Sequence, residues 1–283
     1  MKNFFFTVCT GRCGQATLVN YINKFSTNTF SEVEPPETFF QGRNIISRIL
    51  QNIEREFFNT DEMLGRGKFL EFYDKNNLNP IQIECQKKIK RINNILFKKN
   101  KINYFEVSKF FIRSYGEELI KINPNMKILY LYRNPIINAK SFLNRKKNFQ
   151  KDNFLPSFLK TQFNINIESL NEFEKYLWCW IEVKLRMLEL KKKYNQIKIY
   201  NFKTEDLNKL DKIKNMFDFF NIKYENLSIL NPSNTNEEQG RNATVIAKND
   251  LEIFLKFLKK IPEKILSEIP EFAQCYSNTK IEN

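Results

Sequence analysis

Short apolar runs alternate with longer amphipathic stretches along the chain, and this pattern predicts its secondary structure. Four runs have the length of a strand and are rich in aromatic and aliphatic residues, at positions 4–8, 104–108, 127–132 and 196–200. Apolar residues three and four apart predict helices at 15–25, 44–58, 81–97, 110–122, 136–145, 170–194, 204–220 and 251–266. This alternation predicts a mainly parallel sheet with helices on both faces.

Polar segments separate these elements and bear on the domain organisation. Residues 26–37 contain Pro35 and Pro36, and we expect a loop or a short extended segment there. Residues 60–79, 147–166 and 231–242 have no clear periodicity. A chain of 283 residues without internal repeats fits one α/β domain over residues 1–283, with 243–283 as a helical extension.

The chain is strongly basic, since 46 Lys and Arg against 32 Asp and Glu give a net charge of +14. A basic balance indicates a polyanionic partner, which is nucleic acid, an anionic membrane surface, or a phosphorylated or sulfated ligand. Biased use of Lys and Asn is the alternative explanation. Charge alone does not choose among these.

Two residue types limit the possible chemistry. The sequence has no His, which excludes Ser–His–Asp triads and most zinc sites and leaves Asp, Glu, Lys or Tyr as the general base. Five scattered Cys argue against a disulfide framework and for a reducing compartment, and Cys9 and Cys13 lack a second ligand pair for a metal. Because His is absent and the Cys are scattered, we expect no metal. The first apolar run is too short for a membrane span, so we expect a soluble, cytoplasmic protein.

A turn with two glycines, Gly11 and Gly14, follows the first strand and precedes the first helix. Free N–H groups at a helix N-terminus bind anions, and Arg12 adds a positive charge there. The turn lacks the Lys of a Walker loop, the glycine spacing of a dinucleotide-binding loop and the Arg of a Cys-x5-Arg phosphatase loop. These absences disfavour hydrolysis of ATP or GTP.

A second anion motif follows the strand at 127–132. Arg133 comes directly after this strand, and Ser141 lies about two turns into the following helix, so both side chains can reach one phosphate. Ligands of parallel sheets bind at the carboxyl ends of the strands, where Arg12, Arg133 and the pair Ser108 and Lys109 are expected.

Together the two motifs resemble those of the sulfotransferase family, which transfers a sulfuryl group from 3′-phosphoadenosine 5′-phosphosulfate (PAPS). Residues 10–17 are similar to the family's 5′-phosphosulfate loop, and residues 127–141 to its 3′-phosphate motif. The resemblance covers roughly residues 3 to 220 and implies a three-layer α/β/α fold with a P-loop NTPase-like topology. Gln15 and Ala16 depart from it by replacing two threonines, and the Gly-rich C-terminal phosphate loop is not visible.

The resemblance implies a set of site residues. For PAPS binding these are Gly11, Arg12, Cys13, Gly14, Gln15, Ala16, Thr17, Arg133, Ser141, Tyr200 and, in place of the missing loop, Arg241. Arg12 offsets the charge of the transferring group, and Lys109 assists it, although Ser108 is the closer match to the family position. Glu34, or Glu32 beside it, would be the base that takes the proton of the acceptor.

The implied activity is transfer of sulfate from PAPS to a hydroxyl or amine of a carbohydrate or small polar metabolite. Two other functions remain open: a P-loop-like kinase, and a non-catalytic protein that binds nucleic acid through the basic helices at 81–97 and 251–266. Single residues also have simpler interpretations: Arg133 as a structural ion pair, Glu34 as a solvated carboxylate, and Trp178 and Trp180 as core packing.

Overall fold

The computed structural model describes residues 2–35, 44–47, 49–50, 53, 64–65, 67–144, 149, 159–230, 244–277 and 279. In this part of the chain, five strands form one sheet: β1 (Asn3–Val8), β2 (Thr29–Val33), β3 (Asn103–Val107), β4 (Lys127–Tyr132) and β5 (Lys198–Lys203). Their order is β2-β3-β1-β4-β5, and every neighbouring pair is parallel. The predicted parallel α/β sheet is therefore confirmed.

Helices connect the strands and extend beyond the last one. They are α1 (Gln15–Phe25), α2 (Gly67–Asp74), α3 (Asn79–Lys99), α4 (Gly116–Ile122), α5 (Pro135–Leu143), α6 (Glu172–Lys193), α7 (Leu210–Phe219), α8 (Lys248–Leu258), α9 (Glu263–Glu268) and α10 (Pro270–Gln274). Short 3₁₀ turns lie at Phe111–Arg113, Ile167–Ser169 and Thr204–Asn208. No helix in the described ranges is both long enough and apolar enough to cross a membrane.

The two faces of the sheet pack against different helices, which gives the predicted three layers. Phe5 packs with apolar residues of α1 and α7 on one face. The next residue, Phe6, points to the other face and packs with residues of α3, α4 and α6. A third cluster joins α5 and α6 to α8 and α10 and contains Trp178 and Trp180, both fully buried as the packing interpretation expects.

Strand β2 was predicted only as a loop or a short extended segment, and the structure makes it a full edge strand paired with β3. Its inward-facing residues Thr29 and Ser31 are polar yet buried, so the strand lacks an apolar pattern. Ser31 is satisfied by hydrogen bonds: its hydroxyl donates to Phe105 O, and its N–H donates to Asn23 Oδ1. These partners come from β3 and α1, and a local pattern cannot show them.

Three predicted helix ranges are corrected by the structure. The helix expected at 110–122 is a 3₁₀ turn followed by α4, and that at 204–220 is a 3₁₀ turn followed by α7. The helix at 251–266 is wrong as a single element: α8 ends at Leu258 and α9 begins at Glu263. Pro262 precedes α9 and has no N–H with which to continue a helix.

Candidate functional site

The turn between β1 and α1 has a left-handed backbone at three positions. The φ angles are 95° at Gly11, 56° at Arg12 and 78° at Gly14. Gly14 occupies the N-cap position of α1, where it has no side chain to cap the helix, and the first turn of α1 has no acidic residue. The N–H groups at this end of the helix therefore have no side-chain cap, as an anion site would require.

Side chains of α5 hold this turn in place. Asn138 donates from Nδ2 to Gly11 O at 2.9 Å and accepts at Oδ1 from the Thr10 hydroxyl at 3.1 Å. Arg12 Nε donates to Ser141 Oγ at 3.3 Å. The structure thus brings the two sequence motifs into direct contact, and it pairs Ser141 with Arg12, whereas the sequence grouped Ser141 with Arg133.

Arg133 lies where β4 ends, half-buried beneath α6. Its carbonyl oxygen accepts a hydrogen bond from Trp180 Nε1 at 3.0 Å. Burial lowers the pKa of the Arg133 guanidinium, and the carboxylate of Glu205 acts in the opposite direction. Among the described residues no carboxylate lies within salt-bridge distance of Arg133. This does not favour the interpretation of Arg133 as a structural ion pair, and an Arg remains charged at neutral pH.

Three predicted site residues meet on the other side of the turn. Glu34 directly follows β2, and its Oε1 lies 3.4 Å from Lys109 Nζ and 3.3 Å from Gln15 Nε2. Lys109, which follows β3, is 6% exposed, and the side chain of Glu34 is 25% exposed. Lys109 is therefore largely enclosed by protein, whereas part of the Glu34 side chain is exposed.

The backbone of Glu34 is strained. Its φ angle is 43°, in the left-handed region that a residue with a side chain rarely adopts. Its N–H donates to Val107 O at 3.2 Å, which ties it to the end of β3. Such strain persists only where the surrounding structure fixes it.

The neighbouring Glu32 has different partners. Its Oε2 accepts a hydrogen bond from the Tyr104 hydroxyl at 2.7 Å and lies 3.9 Å from Arg91 Nη1. Burial raises the pKa of Tyr104 well above its usual value, so its hydroxyl keeps its proton and acts as a donor. Glu32 thus belongs to a network on β2, β3 and α3, whereas Glu34 contacts Gln15 at the start of α1.

The other predicted residues of the turn, of the start of α1 and of the end of β3 differ in their burial and contacts. Cys13 is fully buried, and burial, followed by its contact with Cys9, raises the pKa of its thiol well above the usual value. Ala16 and Thr17 lie half-buried in the first turn of α1. Ser108 accepts a hydrogen bond from Phe110 N at 3.1 Å and so holds its own turn.

One predicted residue, Tyr200, packs away from this cluster, and another lies outside the described residues. Tyr200 lies three residues before the end of β5, and its ring packs against Phe219 with centroids 5.0 Å apart. Arg241 lies outside the described residues.

Sequence reasoning missed two polar residues that build the site. Asn138 is fully buried on α5, and its signal is a polar residue in the apolar run between Ile136 and Ala139. Thr204 begins the 3₁₀ turn after β5, and its hydroxyl lies 2.9 Å from Cys13 O and 3.1 Å from Tyr132 O. It therefore links the turn to the ends of β4 and β5.

Metal ligands do not gather in the part of the chain that the structure describes. No three His, Cys, Asp or Glu residues there are placed to hold an ion together. The site is instead built from Arg, Lys, amides and main-chain N–H groups, a donor set suited to phosphate and sulfate oxygens.

Three of the solved structures to which the chain is similar are sulfotransferases, and one of them has a TM-score above 0.5. A sulfotransferase domain from the curacin biosynthetic pathway matches with a TM-score of 0.53 and 16% identity, covering 100% of this chain and 99% of that one. A sulfotransferase from Mycobacterium avium gives a TM-score of 0.49 at 11% identity over 99% of this chain and 78% of that chain. The sulfotransferase domain of a Synechococcus olefin synthase gives 0.48 at 15% identity, covering 100% and 98%.

The chain therefore has the sulfotransferase fold, which confirms the fold that the two motifs imply. No protein-family model matches the sequence. No curated protein matches it either.

Proposed function

We propose that this protein is a sulfotransferase that uses PAPS as its sulfate donor. The observation that carries the proposal is the contact between the two motifs: Asn138 holds the carbonyl of Gly11, and Arg12 donates to Ser141. A 5′-phosphosulfate loop and a 3′-phosphate motif serve one nucleotide only if they share one edge of the sheet. The likeness to the curacin-pathway sulfotransferase domain supports this interpretation.

The residues divide into two groups by their expected contacts with PAPS. The N–H groups of the turn and Arg12 bind the phosphosulfate and offset charge as the sulfuryl group leaves. Arg133, with Ser141, binds the 3′-phosphate, because its charge lies at the end of β4 with no described carboxylate within salt-bridge distance.

Glu34 acts as the base. It takes the proton of an acceptor hydroxyl or amine while the freed electron pair attacks sulfur. The bond from sulfur to the phosphate oxygen breaks, and its electron pair leaves with adenosine 3′,5′-bisphosphate (PAP). Lys109, 3.4 Å from Glu34, adds positive charge beside the transferring group. We propose a carbohydrate or small polar metabolite as the acceptor, because a carboxylate base suits alcohols and amines and the chain has no His.

Calorimetry with PAP tests the proposal. The unmodified protein is expected to bind PAP, and Arg133→Ala to weaken binding by about tenfold or more, because a charge-assisted hydrogen bond to phosphate is lost. Lys198→Ala is the matched control: it removes one positive charge from the exposed start of β5, at the opposite end of the sheet, and should leave binding unchanged. Absence of PAP binding, or equal binding by both variants, would exclude the proposed nucleotide site.

A further inference from the structure

The side chain of Gln15 is directed at Glu34. Gln15 is the first residue of α1, and its Nε2 lies 3.3 Å from Glu34 Oε1 and 3.5 Å from Val107 O. In the family that this turn resembles, a Thr usually stands at this position. Here the amide of Gln15 contacts the proposed base.

We infer that Gln15 is a positioning residue that fixes the carboxylate of Glu34 for proton transfer. The inference rests on the proposed function and adds a residue to its mechanism. Gln15 does not titrate and carries no charge, so it cannot take the proton itself. It acts through Glu34 by holding one carboxylate oxygen.

The geometry assigns separate tasks to the two carboxylate oxygens. Gln15 and Lys109 both approach Oε1 of Glu34, at 3.3 Å and 3.4 Å. Within the described ranges, Oε2 accepts no hydrogen bond. Oε2 is therefore the oxygen that takes the proton of the acceptor. The electron pair of the broken O–H or N–H bond forms the new bond to sulfur, and PAP leaves. Lys109 forms an ion pair with Oε1, and the planar amide of Gln15 fixes the orientation of the carboxylate through a hydrogen bond.

The main chain of Glu34 is held in an unusual conformation, and Gln15 adds a side-chain contact to its carboxylate. Glu34 leaves the edge strand β2 in a left-handed conformation, and its N–H to Val107 O is the main-chain bond that ties it to β3. Gln15 shares the acceptor Val107 O, so one amide ties the base both to the sheet and to α1. The carboxylate of an unpaired Glu rotates about its terminal bond. Fixing it in one orientation costs conformational entropy, and the contact with Gln15 offsets that cost.

The experiment uses hydrolysis of PAPS, in which water is the acceptor, so that no acceptor needs to be known. Gln15→Met keeps the side-chain length and removes the donor. It is expected to lower kcat by about tenfold or more and to leave the KM for PAPS and the Kd for PAP within about twofold.

A double variant separates positioning from structural damage. If Gln15 acts through Glu34, adding Gln15→Met to Glu34→Gln causes no further loss of kcat, whereas independent effects would multiply. Asn20→Met, the same kind of change on the exposed side of α1, is the matched control and should change neither kcat nor KM.

The possible results distinguish the two proposals. If the unmodified protein does not bind PAP, the proposed function fails. If PAP binds but Gln15→Met hydrolyses PAPS at the unmodified rate, only the role of Gln15 is overturned. A raised KM for PAPS, or a multiplicative loss in the double variant, would show that Gln15 contacts the nucleotide or supports the fold instead.

Discussion

At Gly14 the backbone takes a left-handed conformation and also lies against the 3₁₀ turn that follows β5. A Cβ atom here would lie 2.7 Å from Leu207 Cδ1 and 3.1 Å from Thr204 Cγ2. The glycine turn was predictable from the residues around it. The approach of Leu207 was not, because it joins positions nearly 200 residues apart in the chain.

Gly14→Ala is therefore expected to cost stability from two sources. The left-handed φ of 78° costs about 1 kcal/mol for a residue with a Cβ, and the contact with Leu207 adds roughly 1–2 kcal/mol. Urea unfolding measures the sum, and calorimetry with PAP should show weaker binding. Asn100→Ala, at an exposed helix end with a φ of 51°, isolates the first cost. Equal losses for both variants would contradict crowding at Gly14.

At the scale of elements, α5 connects the two halves of the site. Its N-terminus is capped by Asn134, whose Oδ1 accepts from Ile136 N at 3.0 Å and Ile137 N at 3.3 Å. One turn later, Asn138 holds Gly11 and Thr10. The helix thus positions Arg133 at its start and the anion turn along its side.

Asn138→Asp is expected to reduce the free energy of unfolding by about 2–4 kcal/mol at neutral pH. The change places a carboxylate oxygen against Gly11 O, at a position with no exposure to solvent, and removes the donor. The loss should shrink at acidic pH, because a protonated Asp can donate to Gly11 O again. Urea unfolding at both pH values measures this.

Asn171→Asp is the matched control at an exposed helix N-cap, that of α6. Its carboxylate can still accept from Glu174 N, where the helix N-terminus favours negative charge, so the expected change is under about 1 kcal/mol. A similar loss in both variants would show that the network around Asn138 contributes no more than a helix cap.

At the scale of the whole molecule, the parallel α/β sheet followed from alternating apolar runs and helical stretches, because that connectivity permits few arrangements. The edge strand β2 did not follow, since the buried Thr29 and Ser31 are polar. The two anion motifs could be predicted from the sequence because each combines a strand end with a nearby helix N-terminus. The link through Asn138, the strain at Glu34 and the pairing of Arg12 with Ser141 depend on tertiary contacts.

The net charge of +14 gives a last prediction about the whole molecule. PAP carries several negative charges, so raising NaCl from about 50 mM to about 500 mM should weaken its binding by roughly tenfold as the screening length falls to a few ångströms. Adenosine, which is uncharged, is the control ligand and should bind with a Kd that changes less than about twofold. If PAP affinity did not depend on salt, Arg12 and Arg133 would not be its binding charges. If an oligonucleotide at the same salt displaced PAP with higher affinity, the basic surface would serve nucleic acid rather than a nucleotide donor.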